Sequence, residues 1–344
     1  MTSVLESLNQ ALAQAFADDP SVVFLGEDIL DPYGGAFKVS KGLSSAYPGR
    51  VFTTPISEAG ICGIAAGMAL RGLRPVVEIM FGDFLALAAD QLINHIAKFR
   101  WMYNDQVRLP LVIRTPMGGR RGYGPTHSQT LEKHFLGVPG LRTLASNTIG
   151  EPGKLLHAAI LESDDPILFI ENKLLYLLPV RNKQNLPDFE IITTGAQSTT
   201  GKMAYKKPEA PTHRLSVRGA PPPQVTIAAY GYMAELARQA VHTLAFEHEI
   251  FAELVVPSQL APCQAETVIA SAGQTGNLLV VEEGSLSFGW GAEVVARAAQ
   301  ALGPQLRQTR RVAAQDLPVP ASPQLEAMVL PGLDDILRQA KMMV

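Results

Sequence analysis

Short apolar runs alternate along the chain with longer amphipathic segments, and these two patterns predict strands and helices in turn. The apolar runs predict strands at 22–25, 76–80, 110–115, 166–171, 224–230, 250–255 and 277–283. The amphipathic segments predict a helix behind the capping residues Ser3 and Glu6, a helix from Glu58, and helices near 85–103, 129–136, 152–162, 233–247, 265–272, 290–302 and 333–341. Strands that alternate with helices of about ten or more residues indicate βαβ units and parallel sheets.

Residues 185–223 interrupt this alternation. Five prolines fall within 208–223, among scattered Thr, Ser and Gly. A cationic patch in this region consists of Lys202, Lys206 and Lys207. The composition predicts a linker that crosses the surface, with an irregular hairpin as an alternative for part of it. The predicted fold class is therefore α/β, with two parallel-sheet domains at 1–184 and 224–344 joined by a linker at 185–223.

The composition of the 344-residue chain is that of a globular protein with room for about two domains. Hydrophobic residues make up 47% and charged residues 18%, an apolar excess that fits either a large subunit interface or a large core. The net charge is −3 and no basic stripe occurs, so no nucleic-acid partner is expected. No uncharged run in the sequence, 59–70 included, is long enough to cross a bilayer, so no membrane partner is expected.

Two further observations predict a cytoplasmic protein. The N-terminal segment lacks the basic region and apolar core of a signal peptide. Cys62 and Cys263 are far apart and outside any CxxC motif, which argues against a disulfide framework or a zinc site and favours a reducing compartment. The histidines show no metal-ligand spacing, and no metal site is expected in this chain.

The most informative segment is 54–84, in which a single carboxylate, Glu58, begins the helix. No further charge follows until Arg71, and the Gly and Ala residues between them allow close helix packing. We expect this carboxyl group to be desolvated, with a raised pKa suited to holding or sharing a proton. The alternative for Glu58 is a helix-start carboxylate favoured by the helix dipole. Phe81 and Phe84 close the segment and could stack on a planar heterocycle or belong to the core.

The glycine-rich loop 117–129 is a second candidate site, because it directly follows a predicted strand. Ligands of open parallel sheets bind at the carboxyl ends of strands, and His127 could move protons there near neutral pH. An exposed histidine with only local hydrogen bonds is an alternative of equal weight. Arg120 and Arg121 could meet an anionic substrate or a partner, although a solvated charge pair is the simpler interpretation.

In this order, the segments resemble the β subunit of thiamine diphosphate-dependent 2-oxo acid dehydrogenases of the pyruvate and branched-chain type. The resemblance is carried by GEDILDPYGGAFKVSKGL at 26–43, TPISEAGICGIAAGMALRGLRPVVEIMF at 54–81, ADQLINHIAKFR at 89–100, PTHSQTLEKHF at 125–135, PGL at 139–141, ENKLLY at 171–176 and VVEEGSLSFGWGAEVVAR at 280–297. It implies an N-terminal thiamine pyrimidine-binding domain followed by a transketolase C-terminal-like domain.

The resemblance also implies roles for four residues. Glu58 corresponds to the family glutamate that hydrogen-bonds the aminopyrimidine nitrogen of thiamine diphosphate and promotes loss of the thiazolium proton. Phe84 corresponds to the aromatic residue that stacks on the pyrimidine, and Ile56 is an apolar wall beside Glu58. His127 corresponds to the histidine that assists acyl transfer to the lipoyl group.

A partner chain is implied as well. Thiamine enzymes anchor the diphosphate and Mg²⁺ with a GDG motif, whereas the Gly82-Asp83 pair here is followed by Phe84. The resemblance thus implies an α subunit that holds the diphosphate and Mg²⁺ in an α2β2 heterotetramer. The implied reaction decarboxylates a 2-oxo acid and passes the acyl group to lipoamide on an acyltransferase core.

Three positions depart from the family pattern. Gly137 stands where a second histidine is common, Ser163 stands where an Asp of a structural cation site is usual, and the linker at 190–223 is long. We do not carry the cation site over. Two alternatives remain: a thiamine-dependent acyloin-forming or biosynthetic synthase not coupled to lipoamide, and a non-catalytic scaffold subunit.

Overall fold

The computed structural model describes residues 1–195 and 210–344, which form two sheets with flanking helices. The strands are β1 (Val22–Gly26), β2 (Val51–Thr53), β3 (Arg74–Glu78), β4 (Val112–Met117), β5 (Arg142–Ala145), β6 (Ile167–Asn172), β7 (Phe189–Thr194), β8 (Thr212–Val217), β9 (Val225–Ala229), β10 (Ala252–Pro257), β11 (Gln259–Ala261), β12 (Asn277–Ser285) and β13 (Gln308–Ala314). The α-helices are α1 (Val4–Asp18), α2 (Leu43–Ala46), α3 (Glu58–Leu70), α4 (Phe99–Met102), α5 (Lys133–Leu136), α6 (Pro152–Glu162), α7 (Gly231–His248), α8 (Glu266–Thr275), α9 (Trp290–Leu302), α10 (Pro323–Val329) and α11 (Leu333–Lys341). Within the two described ranges, no helix has the combined length and apolarity needed to span a membrane.

The first sheet has the strand order β2-β1-β3-β4-β6-β5-β11. Its strands pair in parallel from β2 to β5, so the carboxyl ends of β1, β2, β3, β4 and β6 lie at one edge. Strands β1, β4 and β6 are buried along their whole length, which accounts for the mainly apolar composition of these runs. Strand β11 comes from the second half of the chain and pairs antiparallel with β5, so the second half completes the first sheet.

The second sheet has the order β7-β8-β10-β9-β12-β13, and β10, β9, β12 and β13 are mutually parallel. Strands β7 and β8 lie within 185–223, where the sequence predicts a linker. They pair antiparallel with each other, and β8 also pairs antiparallel with β10. The described part of this region therefore forms an edge hairpin of the second sheet, while the domain boundaries stay a prediction. The basic residues Lys202, Lys206 and Lys207 lie outside the described residues.

The single long helix predicted at 85–103 is wrong. A 3₁₀ helix at Gly82–Ala86, a π-helical turn at Gln91–Ile96 and the short α4 occupy this region. In the π turn the backbone N–H of Ala97 donates to the carbonyl oxygen of Leu92, five residues earlier, at 3.1 Å. The side chains of both residues are buried in the core.

Most of the longer helices and strands were predicted from the apolar pattern of the sequence, whereas several short ones were not. Helices α6, α9 and α11 begin and end at the predicted residues. The unpredicted β5 has four residues, and β13 carries Arg310 and Arg311 along the sheet edge, so neither shows an apolar run. Their positions depend on pairing with a neighbouring strand rather than on local composition.

Candidate active site at the carboxyl edge of the first sheet

The parallel strands bring the predicted site residues to one edge of the first sheet. Glu58 begins α3 five residues after β2, Phe84 lies in the 3₁₀ helix after β3, and His127 lies in the loop after β4. Because ligands of open parallel sheets bind at the carboxyl ends of the strands, this edge is the candidate active site.

A pair of buried carboxyl groups lies at this edge. Glu58 exposes 5% of its surface, and Glu27, the residue after β1, exposes 7%. Burial, and secondly the charge of Glu58, raise the pKa of Glu27. Oε1 of Glu27 makes no hydrogen bond within the described part of the chain. Two buried carboxyl groups that repel each other favour a state in which one keeps its proton, so this pair can hold a proton for a ligand nitrogen.

An aromatic cluster surrounds His127. The centroid of the His127 ring lies 4.8 Å from that of Phe81 and 5.2 Å from that of Phe84, and both contacts are edge to face. Nδ1 of His127 shares a hydrogen bond of 2.9 Å with the hydroxyl group of Thr126. The imidazole is half-buried, so it keeps a path to a ligand while its orientation is restricted by the rings.

The structure therefore brings Phe84 and His127 into direct contact, but it does not do so for every predicted site residue. Ile56 exposes 83% of its surface on the segment between β2 and α3. Its side chain faces solvent rather than the Phe84 and His127 rings. The described interactions of Glu58 are with Glu27 and Cys62, whose thiol pKa is raised to about 12 by burial and then by the Glu58 charge.

The glycine-rich loop that carries His127 is held by the second domain. Oε1 of Glu283, on β12, accepts a hydrogen bond from the backbone N–H of Gly119 at 2.7 Å. Oε1 of Glu326, on α10, accepts one from the N–H of Arg120 at 2.7 Å. The Arg120 guanidinium donates to the carbonyl oxygen of Pro331 at 2.5 Å. Arg120 therefore fixes the loop against the second domain. Its neighbour Arg121 is exposed to solvent, as expected for a solvated charge.

Two charged residues that the sequence interpretation missed also contact this loop. The ammonium group of Lys173, directly after β6, donates to the backbone carbonyl oxygen of His127. A carboxylate oxygen of Asp83 accepts from the backbone and side-chain N–H groups of Gln129, at 3.3 and 3.1 Å. The available signal was weak: Lys173 is a lysine close behind the apolar run 167–170, and Asp83 lies in an otherwise apolar turn.

A third buried carboxyl group lies behind the loop, between the two domains. Glu132, just before α5, is fully buried and accepts a hydrogen bond from the hydroxyl group of Tyr230, the residue after β9. Burial raises the pKa of Glu132 to about 7, and the charges of Glu282 and Glu283 contribute. The contact joins the segment after His127 to the second sheet.

No group of three or more His, Cys, Asp or Glu side chains in residues 1–195 and 210–344 is arranged to hold a metal ion. In the Gly82-Asp83 pair, the Asp83 carboxylate accepts hydrogen bonds from Gln129.

Comparisons with known proteins identify the family of the chain. Residues 1–178 match the family "Transketolase, pyrimidine binding domain", and residues 192–336 match "Transketolase, C-terminal domain". The chain is 37% identical to the pyruvate dehydrogenase E1 component subunit beta-2, mitochondrial, of Oryza sativa subsp. japonica, over 98% of this chain and 85% of the relative. It is 34% identical to the acetoin:2,6-dichlorophenolindophenol oxidoreductase subunit beta of Cupriavidus necator, over 98% of this chain and 96% of the relative.

A solved structure described as a split gene transketolase, inactive beta4 tetramer, has the same fold. Its TM-score is 0.73 at 20% sequence identity, and the match covers 100% of this chain and 98% of that one. The two matched domains and the full-length relatives show that the chain belongs to the β subunits of the thiamine diphosphate-dependent 2-oxo acid dehydrogenase family, built from transketolase-type domains.

Proposed function

We propose that this chain is the β subunit of an enzyme that decarboxylates a 2-oxo acid and, together with an α subunit, passes the acyl group to lipoamide. The observation that carries the proposal is the buried Glu58 at the start of α3, facing the raised-pKa carboxyl group of Glu27. This is the environment that a carboxyl group needs in order to exchange a proton with a ring nitrogen.

The residues at the edge of the sheet fit the pyrimidine half of thiamine diphosphate. Glu58 offers a buried, protonatable oxygen, and the half-buried Phe84 offers a ring for stacking. Ile56 is proposed as an apolar wall that a partner chain would cover, and the high exposure of its side chain in this chain supports that proposal. When bound, the cofactor supplies the electron sink for decarboxylation. The chain itself holds the ring and sets its protonation through Glu58.

His127 is proposed as the proton donor in acyl transfer to the lipoyl group. Its imidazole is held edge-on against Phe81 and Phe84, and its Nδ1 is occupied by the hydroxyl group of Thr126. Nε2 is then the nitrogen that faces a substrate. A histidine with one nitrogen fixed and the other accessible is suited to general acid and base catalysis near neutral pH.

The α subunit is proposed to hold the diphosphate and Mg²⁺ in an α2β2 assembly, because the chain lacks the GDG motif and Asp83 is engaged by Gln129. An acyltransferase core with lipoyl domains is the proposed acceptor. We also propose a cytoplasmic location, supported by the free thiols of Cys62 and Cys263, although the rice relative is named as mitochondrial. Cell fractionation tests the location.

Co-expression with a GDG-bearing α subunit tests the function. The reconstituted complex would be assayed for decarboxylation over a panel of 2-oxo acids, with and without a lipoyl domain. We expect thiamine- and Mg²⁺-dependent decarboxylation of at least one acid and acylation of the lipoyl domain. A complex that assembles but decarboxylates none of them would support the scaffold alternative.

A second candidate function is acyloin chemistry without lipoamide. The Cupriavidus necator relative, named for acetoin and a dye acceptor, favours it, and so does Gly137 in place of the second family histidine. The same complex would therefore be assayed with acetoin and dichlorophenolindophenol. Faster turnover of acetoin than of any 2-oxo acid would favour this function.

A further inference from the structure

Lys173 is a buried lysine at the candidate site to which the proposed function assigns no role. It exposes 1% of its surface and follows directly after β6, the strand next to β4. Its ammonium group donates to the carbonyl oxygen of His127. It also lies 5.2 Å from the centroid of the Phe81 ring and 5.7 Å from that of Tyr123. A cation is thereby stacked against an aromatic ring that also packs on the His127 imidazole.

Asp83 contacts the same segment at Gln129, two residues after His127. It exposes 8% of its surface, and its Oδ1 accepts from both the backbone and the side-chain N–H of Gln129. Its Oδ2 makes no hydrogen bond in the part of the chain that the structure describes. The Asp83 charge acts on Lys173 and favours its protonated form. Two buried side chains of opposite charge therefore contact the tripeptide 127–129, Lys173 at His127 and Asp83 at Gln129.

We propose that Lys173 and Asp83 are positioning residues that hold the segment 127–129 between them, and so keep the His127 imidazole edge-on against Phe81 and Phe84. Neither residue is required to touch substrate. The inference rests on the proposed role of His127 in acyl transfer, and it adds the groups that orient His127. A histidine on a loop with several glycines needs such anchors, because misplacement of a catalytic group by about 1 Å can cost about 100-fold in rate.

The contact between Lys173 and the segment 127–129 is expected to depend on pH. Burial lowers its pKa to about 8, Asp83, Glu283 and Glu326 oppose that shift, and Arg121 adds to it. These groups come from the turn after β3, from β12, from α10 and from the glycine-rich loop. As the pH rises through about 8, the ammonium loses its charge-assisted hydrogen bond to His127 and its attraction to Asp83.

The test uses the reconstituted complex with its α subunit. In Lys173→Met we expect lipoyl-domain acylation to fall about 10- to 100-fold. Decarboxylation measured with an artificial acceptor should change much less. Lys154→Met, at a lysine whose side chain is 80% exposed, is the matched control and should change neither activity. In a His127→Ala background, Lys173→Met should cause no further loss, because both changes act on the same group. A full additional loss there would overturn the proposal.

Lys173→Arg supplies a second readout. Arginine keeps its charge at all accessible pH values, so the decline in acylation that we expect in the native complex above about pH 8 should be absent from this variant. An unchanged alkaline decline in this variant would contradict the proposal. This measurement stays decisive if Lys173→Met fails to fold.

Hydrogen–deuterium exchange separates this inference from the proposed function. Lys173→Met and Asp83→Asn should each raise amide exchange in residues 125–130 of the assembled complex, whatever the acceptor of the reaction is. If exchange rises but His127→Ala leaves acylation unchanged, the positioning holds and the catalytic role of His127 fails. If exchange does not change in either variant, the positioning role is wrong.

Discussion

At the scale of single residues, the site is distinguished by two buried carboxyl groups, those of Glu58 and Glu27. Glu58 alone is an ordinary helix-start carboxylate, but its burial beside Glu27 places two acidic side chains in one desolvated pocket. The Glu27 carboxyl group keeps a proton more readily than in water, and its Oε1 has no hydrogen-bond partner among the described residues.

We expect Glu58→Gln to assemble normally and to lose cofactor activation. An amide is the same size as the carboxyl group but cannot exchange a proton, so hydrogen–deuterium exchange at the thiazolium carbon should slow by about 100-fold or more. The measurement is NMR of the cofactor after acid quench of the reconstituted complex. Glu162→Gln, at an exposed position of α6, is the control. Exchange at the native rate in Glu58→Gln would refute the assignment.

His127→Ala should affect two activities unequally. Decarboxylation with an artificial electron acceptor depends mainly on the cofactor, whereas lipoyl acylation needs a proton donor at the sulfur. We expect acylation to fall by about 100-fold and decarboxylation by much less. Steady-state assays of both reactions, with the exposed His248→Ala as control, decide the question. Equal losses would place His127 in an earlier step such as substrate binding.

At the scale of elements, the decisive feature is the glycine-rich loop between β4 and α5. It belongs to the first domain in sequence, but acidic side chains of β12 and α10 hold its backbone N–H groups. Gly118, with φ of 96°, is required here, because a Cβ atom would meet the Asn172 amide at 2.4 Å. The loop conformation is therefore a property of the domain contact.

The fully buried Glu132 at the end of this loop predicts a pH-dependent stability. Its pKa rises from 4.5 to about 7 on folding, so the fold favours the protonated form. The stability that this preference contributes is present below the unfolded pKa and is lost as the pH rises through about 7. The total change is about 3 kcal/mol.

Glu132→Gln keeps an oxygen that accepts from Tyr230 but does not ionise. We expect its urea-denaturation midpoint to exceed that of the native chain increasingly between pH 4.5 and about 7, and by a constant amount above that range. Glu247→Gln, at an exposed position of α7, should show no such trend. A pH-independent difference between Glu132→Gln and the native chain would contradict the prediction.

At the scale of the whole molecule, the chain presents half of a site. The first sheet offers the Glu58 carboxyl group and the aromatic cluster, and Ile56 beside them is open to solvent. In the described ranges no side-chain group is arranged for a metal ion. A second chain that covers Ile56 and supplies the diphosphate and Mg²⁺ ligands would complete the site.

We therefore expect the purified chain to bind thiamine diphosphate weakly or not at all, with or without Mg²⁺, and the complex with its α subunit to bind it tightly. The physical reason is that most of the charge of the cofactor lies in its diphosphate, for which this chain has no motif. Isothermal titration calorimetry of the chain alone and of the complex is the measurement. Tight Mg²⁺-dependent binding to the isolated chain would overturn the two-chain site.

The sequence by itself determined the elements whose burial repeats along the chain. The apolar runs of β1, β4 and β6 and the amphipathic periods of α6, α9 and α11 depend on residues only a few positions apart, so local pattern is sufficient to locate them. It also singled out Glu58 as an isolated carboxylate and His127 on a loop that follows a strand, and the family resemblance gave Phe84 its expected role.

Only the tertiary structure decided which distant groups meet. Glu27 opposes Glu58 and Lys173 reaches the carbonyl group of His127, while Glu283 holds a loop that is 164 positions away in sequence. The π turn that replaces the predicted long helix is likewise a response to the core around it. These features depend on how the two sheets pack and on which residues pair with buried charges. Neither produces a periodic pattern of apolar residues in the sequence.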